Sequence, residues 1–309
     1  MWKTVLFLLF TLIVVPLVTF QFDVPLTDLQ YGTLKDLLML YLIAAGLCFV
    51  VSTLSKNYSQ VDKLWSVMPV VYVWETTLHG GFEPRLVLMA VLATIWGARL
   101  TFNFARRGGY SWKFWEGEED YRWAILRAKP EFQAPWRWVL FNLFFISLYQ
   151  MGLILLFTLP ILKSMEGEPL GWPDLVLALL FVALVMVETI ADQQQWNFQK
   201  KKQLQIAGGG KAGKGFIDDG LWGIVRHPNY AAEQAIWVVF YLFSVASTGI
   251  WINWSIAGCL LLILLFKGSS DFSEGISAGK YADYEEYQKR VPRFIPLPKA
   301  KKEAKPVSE

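Results

Sequence analysis

The sequence has little charge for its length. Only 18% of its 309 residues are charged, whereas a soluble domain usually carries about a quarter. Hydrophobic residues make up 54%, and they occur in blocks of roughly 17 to 22, the length that crosses about 30 Å of hydrocarbon. The shortage of charge argues against an ordinary soluble domain. The blocks predict an all-α fold, a polytopic membrane helix bundle.

Cysteine is almost absent. Cys48 and Cys259 are the two cysteines of the chain, and both lie in apolar runs, where a thiol behaves as a small hydrophobic group. We therefore expect neither a disulfide nor a bound metal. The expected partners are membrane lipids and a hydrophobic small-molecule or lipid substrate, with no nucleic acid.

Eight apolar segments predict about eight transmembrane helices with both termini cytoplasmic. They cover residues 4–20, 37–54, 64–78, 86–104, 138–160, 174–191, 231–248 and 250–266. We expect the first to be a retained helix, because Val18–Phe22 offers no small-x-small cleavage site for a signal peptidase. Residues 1–298 then form a single transmembrane helical domain, and residues 299–309 form a basic cytoplasmic tail near anionic lipid.

Lysine and arginine are distributed unequally between the two sides of this arrangement. The side that holds both termini carries 25 of them and the other side carries three, with Arg99 inside a span. The positive-inside rule assigns the rich side to the cytoplasm. We expect an integral protein of the bacterial inner membrane.

Polar residues share one face at the end of the fourth span. Arg99, Asn103 and Arg106 recur at i, i+4 and i+7, which places them on one side of a helix. Two interpretations stay open at this point. Arg99 extends to the interface with its stem in lipid, or this face binds an anion.

The sixth span ends in a second polar stripe. Glu188, Asp192, Gln195 and Gln199 follow at i, i+4, i+7 and i+11. A helix that emerges into water explains the two glutamines. It explains Glu188 poorly, because a carboxylate in hydrocarbon normally faces a protein interior or a wet cavity.

The most informative segment runs from Phe216 to Trp237. Pro228 suits the first turn of a helix, where its missing N–H costs nothing. Arg226 and His227 then precede a helix N-terminus whose free N–H groups can bind phosphate.

Beyond this point the helix carries a further polar face. Tyr230, Glu233, Gln234 and Trp237 lie on one side of the predicted helix. Glu233 would be buried and would need a partner, for which Arg226 or a cofactor hydroxyl would serve.

These motifs resemble a known superfamily. The resemblance rests on the pattern Gly220-Leu-Trp-x4-Arg-His-Pro-Asn-Tyr-x2-Glu-x3-Trp, on the spacing to Glu274, and on the closing run with Tyr281, Tyr284 and Tyr287. Segments 60–66, 97–100, 119–123 and 191–199 contribute to it as well. The chain is similar to the steroid 5-alpha-reductase C-terminal-like superfamily, and within it to the bacterial branch catalogued as DUF1295.

The resemblance implies a bundle of seven or more helices that holds NADPH at its cytoplasmic side. The implied enzyme is an oxidoreductase of CH–CH groups in lipid metabolism. It reduces a carbon–carbon double bond conjugated to a ketone in a sterol-like or isoprenoid lipid. Resemblance and pattern together suggest a cofactor-binding set of Arg226, His227, Asn229, Tyr230, Glu233, Trp237, Arg99, Asn103, Arg106, Asp192 and Tyr284. No catalytic residue is identified; Tyr72 and Glu75 are available but lie toward the external end of the third span.

Two other classes of function stay open. Membrane methyltransferases of the isoprenylcysteine carboxyl methyltransferase type share the Arg-His-Pro-x-Tyr pattern but use S-adenosylmethionine. The arginines near the motifs favour NADPH, because it adds a pyrophosphate and a 2′-phosphate. A non-enzymatic lipid-binding or transport protein is the third class, but the two halves show no internal repeat of the kind many transporters carry.

Overall fold

The structure is a computed structural model that describes residues 2–209 and 214–296. Within these ranges every regular element is helical and no strand occurs, so the all-α prediction is confirmed. The predicted tail 299–309 lies outside the described residues.

The helices of the described ranges vary from four to 36 residues. They are α1 (Trp2–Phe20), α2 (Asp28–Ser55), α3 (Gln60–His79), α4 (Pro84–Ala105), α5 (Tyr121–Arg127), α6 (Pro135–Phe141), α7 (Gln150–Thr158), α8 (Pro160–Lys163), α9 (Trp172–Ala207), α10 (Pro228–Thr248), α11 (Ile256–Lys280) and α12 (Tyr284–Arg290). A π-helical stretch, Asn142–Tyr149, joins α6 to α7, and short 3-10 turns lie at Pro130–Phe132 and Gly220–Gly223.

Six of these helical segments are long and apolar enough to cross a membrane. They are α2, α4, the continuous segment Pro135–Lys163, α9, α10 and α11. The other two predicted spans are also helical, as α1 and α3; the apolar part of α1, Val5–Phe20, is shorter. The chain is thus a polytopic helical integral membrane protein.

The sixth predicted span lies within α9, and this helix continues past the apolar stretch to Ala207, as expected for a helix that carries the polar stripe to Gln199. One predicted boundary was wrong. The eighth span was expected to begin at residue 250, but α11 begins at Ile256. Just before it, the Asn253 side chain accepts hydrogen bonds from the N–H and hydroxyl of Ser255.

The chain divides into two compact units. Unit 1 comprises Met1–Met186 and Gln234–Lys267, and unit 2 comprises Val187–Glu233 and Gly268–Glu309. Helices α9, α10 and α11 each contribute residues to both units.

Unit 1 contains the large apolar core. The ring centroid of Trp237 lies 4.8 Å from that of Trp96 and 4.1 Å from that of Phe157. α7 and α11 approach so closely that a Cβ at Gly258 would lie 2.3 Å from backbone atoms of Leu156, which explains a glycine there.

A buried ion pair fixes the start of α4 to that of α9. The Arg85 Nε donates to the Asp174 carboxylate at 2.8 Å, and the two side chains are 1% and 0% exposed. The same carboxylate accepts the Gly171 N–H at 2.7 Å just before α9. The Arg85 charge is therefore compensated inside the protein, as buried charges must be.

Candidate cofactor site in unit 2

The two residues before α10 form backbone hydrogen bonds with the segment that follows α12, residues 291–296, which we call the closing segment. The backbone N–H of Arg226 donates to the carbonyl of Pro292 at 2.8 Å, and that of His227 donates to the carbonyl of Arg293 at 3.1 Å. Pro228 is the first residue of α10, as expected. The backbone N–H groups of Arg226 and His227 are therefore satisfied within unit 2. In the first turn of α10, whose N–H groups were expected to be free for an anion, the Tyr230 N–H donates to the Asn229 side-chain oxygen at 3.0 Å.

Arg226 is buried and fully engaged. Its guanidinium bonds to both oxygens of Glu274, with Nε at 2.8 Å and an Nη at 3.2 Å. It also donates to the carbonyls of Gln288 and Val291. This arrangement is the bidentate pairing that a planar guanidinium makes with a carboxylate, so Arg226 joins α11 to α12.

Glu274 is the centre of the arrangement, and it is only 2% exposed. Besides Arg226, its oxygens face the His227 Nε2 at 2.9 Å, the Gln288 amide at 2.7 Å and the Arg293 guanidinium at 3.4 Å. We call these five residues the Glu274 cluster. Burial removes water from the Glu274 carboxylate, and its four polar partners compensate for that loss. The cluster is therefore a polar centre inside unit 2.

The first turn of α10 also connects to α9. The Asn229 amide donates to the Asp192 carboxylate at 3.2 Å, and Asp192 and Glu188 are each 5% exposed. The carboxylates of the predicted α9 stripe are therefore buried, so the interpretation of a helix simply emerging into water fails for both. The His227 and Tyr230 rings stack at 5.2 Å.

A cluster of four aromatic rings packs against α12. The ring centroid of Phe216 lies 4.9 to 5.8 Å from those of Tyr281, Tyr284 and Tyr287. The Tyr287 hydroxyl donates to the carbonyl of Trp222. Burial raises the pKa of Tyr284 to about 12. Tyr284 is thus a neutral, buried part of the core of unit 2, and it is not among the residues that line the cavity described next.

A cavity of about 490 Å³ opens beside this aromatic group. Three cationic and three acidic residues line it, together with Tyr281; the cations are Lys214, Lys280 and Arg290, and the acids are Asp218, Asp283 and Glu286. Lys214 and Arg290 both pair with Asp218, at 2.7 and 2.8 Å.

The Tyr281 hydroxyl meets another lysine. Lys202 Nζ donates to it at 2.8 Å. Burial alone would raise the pKa of the Tyr281 phenol, but Lys202 and Lys280 hold it below its ordinary value. The surroundings of Tyr281 therefore favour negative charge.

The structure brings six of the predicted site residues together around α9, α10 and α12 of unit 2: Asp192, Arg226, His227, Asn229, Tyr230 and Tyr284. Glu233 also belongs to unit 2 and is 4% exposed. Arg99, Asn103, Arg106 and Trp237 belong to unit 1. There Arg106 donates to the Asn103 side-chain oxygen at 2.9 and 2.6 Å, and Trp237 packs in the apolar core.

Sequence reasoning missed most of the Glu274 cluster as site residues. Glu274 was noticed only through its spacing from the Arg226 motif, and Gln288 and Arg293 were not singled out. A signal was present, because Arg226 and Glu274 are opposite charges that both lie next to predicted spans. Pairing residues 48 positions apart nevertheless requires the tertiary structure.

Comparison with known proteins supports the family part of the resemblance. The chain matches the family described as protein of unknown function (DUF1295) over residues 48–291. It is 35% identical over 276 residues to the uncharacterized protein C594.04c of Schizosaccharomyces pombe, covering 84% of this chain and 78% of that protein. No solved structure matches it. A family match across helices α3 to α12, including the whole Glu274 cluster except Arg293, establishes that the chain belongs to the DUF1295 family.

Proposed function

We propose that this protein is a membrane reductase that binds NADPH in unit 2 on the cytoplasmic side and reduces the double bond of a hydrophobic enone. The observation that carries the proposal is the cavity of about 490 Å³ with its cations and tyrosines. Binding cavities for small molecules and cofactors commonly measure about 300–1,000 Å³. A steroid 5-alpha-reductase-like relationship, suggested by the motifs, is consistent with it.

The donors of the cavity suit a phosphorylated nucleotide. Lys214 and Arg290 are already paired with Asp218, so we assign the contact with phosphate oxygens to Lys280, and Tyr281 provides an aromatic face for a base. S-adenosylmethionine carries no phosphate and would leave the charge of Lys280 unused. The preference for NADPH over the methyl donor therefore rests on Lys280.

The Glu274 cluster has a supporting role in this proposal. Because Arg226 is already compensated by Glu274, we assign it to positioning α12 and the closing segment rather than to direct phosphate contact. This revises the direct role expected from the sequence. His227 precedes α10, and Asn229 and Tyr230, which are partly exposed, lie in its first turn. None of the three is among the residues that line the cavity.

When bound, NADPH would supply the hydride that reduces the conjugated double bond. The residues of unit 2 would bind and orient it, and the apolar helices would admit a lipid-soluble substrate from the membrane. A sterol-like or isoprenoid enone fits this description.

The test uses the purified full chain in detergent. We expect NADPH to raise the melting temperature more than NADH or S-adenosylmethionine, since a ligand at 100 times its Kd adds about 2.7 kcal/mol of stability. Lys280→Ala should weaken NADPH binding at least about fivefold, the effect of losing roughly 1 kcal/mol of phosphate interaction. Lys289→Ala is the matched control, because Lys289 is exposed on α12 and does not line the cavity.

The alternatives give different outcomes. If S-adenosylmethionine alone stabilises the protein, the reductase proposal is wrong and a methyltransferase is favoured. Stabilisation by neither cofactor would refute both and favour a lipid-binding or transport protein. Oxidation of NADPH that depends on an added hydrophobic enone would establish the reaction class.

A further inference from the structure

A group of potential metal ligands lies in unit 1 and shares no residue with the proposed cofactor site. Asp36 on α2 and Glu75 and His79 on α3 bring one ligand atom each to within 4.8 Å of the others. Glu75 and His79 are four residues apart, so they share one face of α3. Their side chains, and that of Asp36, are between 27% and 46% exposed, which leaves the group accessible to an ion.

A buried threonine orients the imidazole. The Thr33 hydroxyl lies 2.9 Å from the carbonyl of Leu29, to which it donates, and 3.1 Å from His79 Nδ1, so we assign its oxygen as the acceptor of an Nδ1–H. Nδ1 then carries the ring proton when the imidazole is neutral. The lone pair on Nε2 is left facing Asp36 and Glu75, and such an outer partner is what metal-binding histidines usually have.

The separations suit a shared ion better than direct hydrogen bonds. His79 Nε2 lies 3.3 Å from a Glu75 oxygen and 3.6 Å from an Asp36 oxygen, beyond the usual N–H···O range of about 2.7–3.2 Å. Two ligands of a tetrahedral zinc ion, with bonds of about 2.0–2.1 Å, lie about 3.3 Å apart.

We propose that Asp36, Glu75 and His79 bind a zinc ion with three protein ligands and a fourth position open to water. One nitrogen and two carboxylate oxygens are donors that zinc accepts. Calcium needs six to eight oxygens, which this group does not provide. Two carboxylates and a neutral imidazole also balance the charge of the dication, and the ion would join α2 to α3. This proposal is independent of the proposed reductase.

The test is a zinc titration of the full chain in detergent after removal of bound metal with a chelator. Calorimetry should give one zinc per chain, and cobalt in its place should show the visible absorption of tetrahedral coordination. His79→Gln and Asp36→Asn should each weaken zinc binding about 100-fold or more. Thr33→Val should weaken it about 10- to 100-fold, the usual effect of losing an outer partner.

The chain offers two matched controls. Its second histidine is His227, so His227→Gln should keep the zinc affinity, and so should Asp28→Asn at an exposed position of α2. Circular dichroism and monodisperse elution verify that each variant is folded. If His79→Gln does not fold, Asp36→Asn decides, because the Asp36 side chain is 46% exposed. An unchanged zinc affinity in Asp36→Asn, or no saturable binding by the wild type, would overturn the proposal.

Discussion

Replacing Arg226 by alanine should loosen unit 2 far more than a typical surface substitution does. The Arg226 side chain is 9% exposed and makes two hydrogen bonds to the carboxylate of Glu274, whose side chain is 3% exposed. Removing one partner of a buried pair costs about 3–5 kcal/mol, because the other charge is left uncompensated. His227, Gln288 and Arg293 still face Glu274 in the variant, so we expect the lower end, about 3 kcal/mol.

Hydrogen exchange measures this effect locally, since amides exchange through opening of the structure around them. A loss of about 3 kcal/mol corresponds to an exchange rate roughly a hundredfold faster. We expect this change in the amides of α12, which Arg226 holds through the carbonyls of Gln288 and Val291. The amides of α2 in unit 1 should exchange as in the wild type.

A double variant provides the control for this prediction. Arg226→Met combined with Glu274→Leu removes both charges, and replacing a buried pair by apolar residues is often neutral or stabilising. Its α12 amides should therefore exchange more slowly than those of Arg226→Ala. If Arg226→Ala leaves exchange in α12 within about threefold of the wild type, the ion pair does not hold this helix and the reasoning is refuted.

Two further predictions concern packing and pH. A Cβ at Gly258 would clash with backbone atoms of α7, so Gly258→Ala should cost about 1–3 kcal/mol of stability and lower the melting temperature. Gly46→Ala is the control, because a Cβ at Gly46 has no atom within 4 Å, and it should not lower the melting temperature. Equal melting temperatures for the two variants would contradict the close approach of α7 and α11. Burial alone would raise the pKa of Asp218, but hydrogen bonds from Lys214 and Arg290 hold it below its ordinary value. The carboxylate therefore stabilises unit 2 fully above about pH 4, and this contribution is lost as pH falls through the lowered pKa. The melting-temperature deficit of Asp218→Asn should accordingly shrink below about pH 4, and a deficit that is constant with pH would exclude this ion pair as its cause.

The candidate site could be predicted only in part. The helix start at Pro228 and the burial of Glu188 and Asp192 follow from local rules, because proline suits a first turn and carboxylates avoid hydrocarbon. The partner of Arg226 could not be found in this way. Glu233 lies nearby in sequence and was the obvious candidate, whereas the structure pairs Arg226 with Glu274.

The zinc proposal shows the same limit. The absence of useful cysteines argued against a metal, and the Glu75–His79 spacing alone is common on helices. Asp36 lies on a different helix, and only the packing of α2 against α3 places it and Thr33 beside His79.

The scarcity of charge and the long apolar blocks were enough to predict a polytopic helical membrane protein from the sequence alone. The length of an apolar block is a property of consecutive residues, so it can be read without knowing how the helices pack. Which charges compensate each other depends on distances between separate helices, and a buried charge is stable only beside its partner. For that reason the tertiary structure alone decided that Arg226 belongs to the Glu274 cluster, that its backbone N–H is already satisfied, and that an open cavity lies beside Tyr281.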